Sequence, residues 1–413
     1  MALLLKSLRL INSSSILSPQ DYIYTGSEVQ PFSGQEVDFT ETIDCSNLYG
    51  SMGWIDLRCM SGEPGEEYRE SLESLGVLLS SSGFVKAVLL PNTHPTVQSK
   101  SEVEYLKAKS SGWLTDLIIQ GAVTKNTKGE DFTDILDLHH AGANVFGDGL
   151  NPISNPDRLM KTLLYLQKIN GTLFDFTFDP LLALFGQMHE GDMSTRLGLK
   201  GIPNLSEEVA IQRNIEILKY TGGQIHFQTI STAGAVERIR KAKKEGLKVT
   251  ADVSIYQLLF SDQDLFSFDT NLKVMPPFRG EEDRLALIEG VKDGTIDALV
   301  SNHIPQDIDS KHMEFDLASF GMLGLQTFLP ALIKLSSELS WPTLIAKITT
   351  GPRSVLGYDT ECNKSLTLFD PNMEWQYDQT TNLSLSANSP WFGRKLKGKI
   401  VKVINGNSIL NPS

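Results

Sequence analysis

The side chains able to bind a metal or move a proton are few in this chain, and they are poorly spaced for either task. Of its seven histidines, His139 and His140 sit together in a helix-like stretch, while His94, His189 and His312 fall in segments that read as loops, without mutual ligand spacing. Three cysteines, Cys45, Cys59 and Cys362, are too few and too scattered for a disulfide framework or a cysteine-rich zinc site, which fits a reducing cytoplasm. Short motifs do recur at the ends of apolar runs: Arg58 and Met60 ahead of Glu63-Pro64-Gly65, Pro91-Asn92-Thr93 with Pro95, Asp148 beside Gly149, and Asn302 in "VSNHIPQD". Residues two apart on a strand face one side, so Arg58 and Met60 project together. Neither suits a metal: guanidinium offers no lone pair, and a lone thioether is a poor zinc ligand.

The elements that must carry these motifs are legible in the texture of the chain. From about Ala2 to Ser51, short apolar runs are broken by Ser, Gly, Asn and Pro, as in small strands and turns. From about Gly53 to Leu356, β-rich segments such as "KAVLLP", "LIIQGAV", "GTLFDFTF", "LKVTADVS" and "DALVSNH" alternate with amphipathic stretches such as "SEEVAIQRNIEILKYTG" and "TAGAVERIRKAKKEG". Repeated β-then-α units predict a parallel sheet covered by helices and closed into a (β/α)8 barrel, with the motifs at the strand C-terminal ends. The β-and-turn texture returns after about Tyr358. The expected organisation is therefore a barrel over residues 53–357 and a small β-sandwich built from residues 1–52 and 358–413.

Composition narrows the function classes. Hydrophobic residues make up 40% of the 413 and charged residues 21%, ordinary globular usage. The net charge of −13 sets the overall field against phosphate backbones and anionic membranes, so no nucleic-acid or membrane partner is expected. The basic runs Lys241 to Lys244 and Arg394 to Lys399 read as a solvated helix face and a strand edge. The opening "MALLLKSLRLINSSS" has too short an apolar run for a signal peptide and reads as a strand.

Taken in order, the motifs resemble those of the dihydroorotase family of cyclic amidohydrolases. There, the first barrel strand ends His-x-His, followed by an arginine and Glu-Pro-Gly; here Arg58 and Met60 hold the histidine positions and Gly62 the arginine's. The family's Pro-Asn-Thr-x-Pro loop, whose asparagine contacts dihydroorotate, is intact at Asn92, and the Lys128-Gly129-Glu130 turn is kept. Of the acidic pair that follows, Asp148 remains and Gly149 replaces the second member. Phe176 and Phe178 stand where the family reads histidine and glutamate, and by period-two alternation they share an inward face with Phe174. Thr229 replaces the metal histidine before Ser-Thr; His226, three residues earlier, falls by parity on the opposite face and reads as a packed structural histidine. Met275 replaces a substrate-contacting asparagine, and Gln306 a histidine. Asn302 replaces the aspartate that touches metal and takes a proton from water.

The resemblance implies a degenerate member. No catalytic residue is assigned, no zinc or other cofactor is expected, and Gly62, Asn92, Met275 and Gln306 are vestigial substrate-binding positions. The implied role is structural or regulatory work in pyrimidine biosynthesis. The expected partner is aspartate carbamoyltransferase, which inactive dihydroorotase-like chains accompany in some bacteria, and self-association is expected as well. Two other readings stay open: an active metal-dependent cyclic amidohydrolase with a rearranged site, and a sensor that binds a pyrimidine precursor through Asn92. Because a buried charge is costly unless paired, Arg58 is expected to point toward the old metal position and pair with Asp148.

Overall fold

Leucines at positions 3, 5 and 8 of the chain face one way and are buried, and this alternation, interrupted at Ser7, shapes the first strand. The computed structural model describes residues 2–34, 36–360 and 364–412, so Cys362 lies outside the described residues. Strand β1 (Leu3–Leu10) pairs through its first half with β2 (Gln20–Tyr24) and β4 (Glu41–Asp44), while β3 (Val29–Pro31) extends β2. At Ser7 the backbone takes φ 56° and the register slips by one residue. Such a bulge kinks a strand, so the second half of β1 turns to pair with β5 (Tyr49–Met52).

The barrel follows. Its parallel strands are β6 (Trp54–Cys59), β7 (Phe84–Leu89), β8 (Asp116–Gly121), β9 (Val145–Phe146) and β10 (Leu173–Asp175). A short parallel ribbon of β11 (Met188–His189) and β12 (Gly201–Ile202) stands apart, which places His189 on a strand rather than in the expected loop. The barrel resumes with β13 (Ile225–Phe227), β14 (Val249–Ser254) and β15 (Ala298–Val300). Sequential order is kept all the way round, and the ring closes where Cys59 bridges His303 and the Met60 N–H donates to the His303 carbonyl at 3.0 Å. The chain is thus a (β/α)8 barrel with an additional, mostly antiparallel sheet.

The barrel interior is apolar where the strands begin. Ile55, Leu57, Val88, Ile118, Val145, Phe174, Ala298 and Val300 form one cluster, with Val355 plugging it from below. A second layer, including Trp54, Phe84, Leu75 and Phe328, fills the space between strands and helices. The amphipathic stretches form helices Asn204–Thr221 and Ala233–Lys244, the latter capped by the Thr232 hydroxyl accepting from the Ala235 N–H. Among the described residues, no helix is long and apolar enough to cross a membrane.

The last strands return to the accessory layer. β16 (Ser365–Tyr377) pairs with β5 and with β17 (Arg394–Asn405), which carries β18 (Ser408–Leu410) on its far end. Leu3, Leu5, Leu8, Tyr22, Tyr24, Leu366, Leu368 and Ile404 bury one another between the leaves, so neither chain end builds this core alone. The Tyr24 hydroxyl ties the two ends together by donating to the Gly406 carbonyl at 2.6 Å.

Candidate functional site

The positions expected to have lost metal and catalytic groups sit at or just beyond the C-terminal ends of barrel strands: Arg58 on β6 and Met60 just after it, Asp148 after β9, Phe176 after β10, Thr229 after β13 and Asn302 after β15. The fold brings several of them together around one side chain. Arg58 is completely buried. Its Nε donates to Asn302 Oδ1 at 2.8 Å, its Nη1 to Gln228 Oε1 at 3.0 Å, and Nη1 and Nη2 to the Gly149 carbonyl at 3.3 and 3.4 Å. The guanidinium lies over the Phe176 ring, 4.6 Å from its centroid, and Phe178 meets that ring edge-on at 5.3 Å. Burial pulls the Arg58 pKa down to about 10, opposed by the negative charges of Asp252 and Asp56.

The expected pair of Arg58 with Asp148 is not formed. The Asp148 carboxylate instead accepts from the N–H groups of Val123 and Thr124, at 2.9 and 3.0 Å, and from the Thr124 hydroxyl at 2.5 Å. Gly149, at φ 63°, turns the chain so that its backbone carbonyl faces the guanidinium. A side chain at that glycine has no room, since a Cβ would lie 1.9 Å from Asn92 Oδ1. Burial pushes the Asp148 carboxyl up to about 6, against the hydrogen bonds from Thr124 and Val123.

His226 also differs from expectation. It is in register with Phe174 and packs on its ring at 4.5 Å, so it points into the barrel, not out of it. Its nitrogens are held by Thr250 Oγ1 and Asp252 Oδ2, both at 2.8 Å, which fits a structural histidine. Parity counting failed because Thr229 adopts φ 48°, a rare conformation for a β-branched residue, and ends the alternation there. The Thr229 N–H donates to Asp252 Oδ1 at 2.6 Å, while its hydroxyl is buried without a hydrogen-bond partner. Gln228, Asp252 and Asp56 were not singled out from sequence, although a lone aspartate in each of the apolar strands "WIDLRC" and "VTADVS" was the available signal.

The other expected contact positions are occupied by the protein itself. The Asn92 amide donates to the Asp148 carbonyl at 3.1 Å and to Thr127 Oγ1 at 3.3 Å, and its oxygen accepts from the Leu150 N–H at 2.8 Å. Gln306 Nε2 donates to the Phe320 carbonyl at 2.8 Å. The Met275 carbonyl accepts from Asn302 Nδ2 at 3.5 Å, and the Met60 side chain is buried. Gly62 is gripped by its turn: its N–H donates to the Glu70 carbonyl at 2.8 Å, and its own carbonyl accepts from the Glu66 N–H at 2.6 Å. Among the described residues, no three His, Cys, Asp or Glu side chains converge as metal ligands would.

Asp56, below Arg58, gives this region a pH signature. Its carboxylate accepts from the Ser301 N–H at 2.9 Å and the Ser301 hydroxyl at 2.5 Å, yet complete burial pushes its pKa up to about 7. A carboxyl raised in the folded state contributes stability below its unfolded pKa, and this is lost as pH rises through the folded value. Between pH 5 and pH 8 the protein is expected to lose on the order of 2 kcal/mol through this group. Asp148 acts in the same direction. Urea denaturation at the two pH values should show the loss shrink by about that amount in Asp56→Asn; an unchanged difference refutes the assignment.

Compared with known proteins, the chain matches the family model described as dihydro-orotase-like over residues 51–235. It is 35% identical over 379 residues to a dihydroorotase of Aquifex aeolicus, covering 90% of this chain and 89% of that one. With a dihydroorotase of Ruminiclostridium cellulolyticum it shares 37% identity over 379 residues, 89% of this chain and 88% of the relative. Among solved structures, the L-hydantoinase (dihydropyrimidinase) of Arthrobacter aurescens superimposes with a TM-score of 0.85 at 20% identity, covering 99% of this chain and 96% of that one. The dihydropyrimidinase of Brevibacillus agri gives 0.82 at 16% identity, with 100% and 96% covered. These two structural likenesses speak to the fold alone.

Proposed function

The chain belongs to the dihydroorotase-like family, and from that membership we propose that it is a non-hydrolysing member with a structural or regulatory role in pyrimidine biosynthesis. The observation that carries this reading is the buried guanidinium of Arg58, bonded to Asn302 and Gln228 and stacked on Phe176. The side chains gathered there do not fit a zinc ion. Guanidinium and phenyl groups offer no lone pair, and the Asn302 amide has no useful basicity for taking a proton from water. A resident zinc would lower the pKa of water from about 15.7 to roughly 7, the central requirement of this hydrolysis. Arg58 instead places a fixed positive charge among neutral acceptors.

Sensing of a pyrimidine precursor through Asn92 has less support, because the Asn92 amide is already bonded on both its nitrogen and its oxygen within the fold. A protein partner has more. The loop after β10 exposes Leu181 and Phe185, at 79% and 74%, on the same side of the barrel as the strand ends. By analogy with inactive relatives, the partner we propose is aspartate carbamoyltransferase.

The decisive experiment pairs metal analysis with turnover. Protein purified without chelator is expected to hold well under one zinc per chain and to show no dihydroorotate turnover in either direction with zinc added. Stoichiometric metal together with turnover overturns the reading. Mixed with aspartate carbamoyltransferase of the same source, the chain is expected to co-migrate on gel filtration; separate elution with no change in that enzyme's kinetics removes the partner.

A further inference from the structure

Beyond β15 the chain leaves the barrel at Ile304 and returns at Met322, and the Ile304 N–H donates to the Met322 carbonyl at 2.9 Å, which closes the base of the excursion. Residues 307–320 form a compact loop of the kind packed by its own side chains. The Ser319 N–H donates to the Ser310 carbonyl at 2.9 Å and draws its two sides together. Ile308, Met313 and Leu317 face solvent, while Lys311, Phe315 and Ala318 turn inward.

The loop closes around two cations. Lys311 is 5% exposed, and its Nζ donates to the carbonyls of Ser319 and Gly321 at 2.8 and 3.0 Å and to that of Lys273 at 3.4 Å. Lys273, 2% exposed, reaches in from the segment after β14; its Nζ donates to the Phe315 and Asp316 carbonyls at 2.7 and 3.1 Å and lies 4.9 Å from the centre of the Phe320 ring. The charged groups facing the pair are Asp269 toward Lys311, Asp316 toward Lys273, and each lysine toward the other; neither forms a salt bridge with a described residue. Two ammoniums enclosed with backbone dipoles as their partners are costly to keep charged. Burial, aided by Lys273, pulls Lys311 down to about 7, and burial, opposed by Asp316, pulls Lys273 down to about 8. The same loop grips the strand-end face: the Phe320 carbonyl takes the Gln306 amide at 2.8 Å, and the Gly321 N–H donates at 2.9 Å to the carbonyl of Lys273, two residues before Met275.

We propose that residues 307–320 are a proton-controlled lid, closed while Lys311 and Lys273 are enclosed and opening as one unit on acidification, which frees Gln306 and uncovers residues 273–275. A lysine in water keeps its proton up to a pH of about 10.4, and these two hold theirs less well inside the closed loop, so opening takes up protons. Closure is therefore firmest at high pH and weakens as pH falls toward 7. Asp56 acts on the whole fold in the opposite sense, so a loop that loosens on acidification while the barrel tightens has its own local cause. The proposal is independent of whether the strand-end site hydrolyses anything.

The test is amide hydrogen exchange of the full chain at pH 8.5 and pH 6.5, with each rate divided by that of an unstructured chain at the same pH. Amides of residues 311–321 are expected to lose at least about tenfold in protection at the lower pH, while those of helix Asn204–Thr221 lose none. Lys311→Met, similar in length but without the titrating amine, should cut the loss to about threefold or less. His312→Gln, which removes the exposed imidazole of the same loop, should leave it whole. Protection that follows the helix at both pH values overturns the lid, and so does a pH response that persists undiminished in Lys311→Met.

Discussion

Replacing Arg58 with alanine is expected to destabilise the protein by about 3 kcal/mol, measured by urea denaturation at pH 7. The guanidinium holds three buried acceptors, Asn302 Oδ1, Gln228 Oε1 and the Gly149 carbonyl. Each buried group left unpaired costs about 1–3 kcal/mol, and the vacated volume adds a cavity penalty. Relief of the buried charge offsets part of this, since burial opposes the charged form of Arg58. Arg58→Met separates the contributions: it fills the volume and removes the charge but leaves the acceptors unpaired, so it should lose about half as much. If Arg58→Ala stays within about 1 kcal/mol of the parent, the guanidinium is not what organises the strand ends.

Placing at Gly62 the arginine that the resemblance implies for that position is expected to damage the fold. A Cβ at Gly62 would lie 2.0 Å from the Glu66 carbonyl oxygen, a backbone atom that cannot rotate away, and 3.0 Å from the Glu70 carbonyl oxygen. The turn would have to open, breaking the Gly62–Glu66 and Gly62–Glu70 hydrogen bonds and disturbing Glu70, which is buried against Ser74 and Ser384. Gly62→Arg should therefore lose about 2–4 kcal/mol, read as a lowered urea midpoint with unchanged slope. Gly62→Ala carries the same clash without the charge and should lose nearly as much. A stable Gly62→Arg protein would mean that the turn opens to admit the side chain at little cost.

Much of this architecture could be read along the chain because it follows from local pattern. Alternating β-rich and amphipathic segments announced the barrel, and "SEEVAIQRNIEILKYTG" and "TAGAVERIRKAKKEG" are helices where their 3.6-residue spacing put them. The strand-end positions were legible because the motifs come in a fixed order along a closed ring. The partners of the side chains were not. Arg58 was assigned to Asp148 on charge alone, yet Asp148 bonds Thr124 and Val123, and Arg58 is met by amide oxygens and a phenyl ring. His226 was placed on the wrong face because one residue, Thr229 at φ 48°, breaks the parity on which the count depends.

The sequence by itself determined the ring of strands, the side of the barrel at which the site lies, and which residue types stand there. Those follow from side-chain periodicity and from chemistry that any sequence carries openly: an arginine cannot become a metal ligand in any fold. Only the tertiary structure decided which groups satisfy one another. Asn302, Gln228, Gly149 and Phe176 come from four different strand ends, and they meet Arg58 because the closed barrel converges them on one point. Hydrogen-bond partners hundreds of residues apart leave no mark in local pattern, and in a buried site it is their geometry, more than formal charge, that settles each pairing.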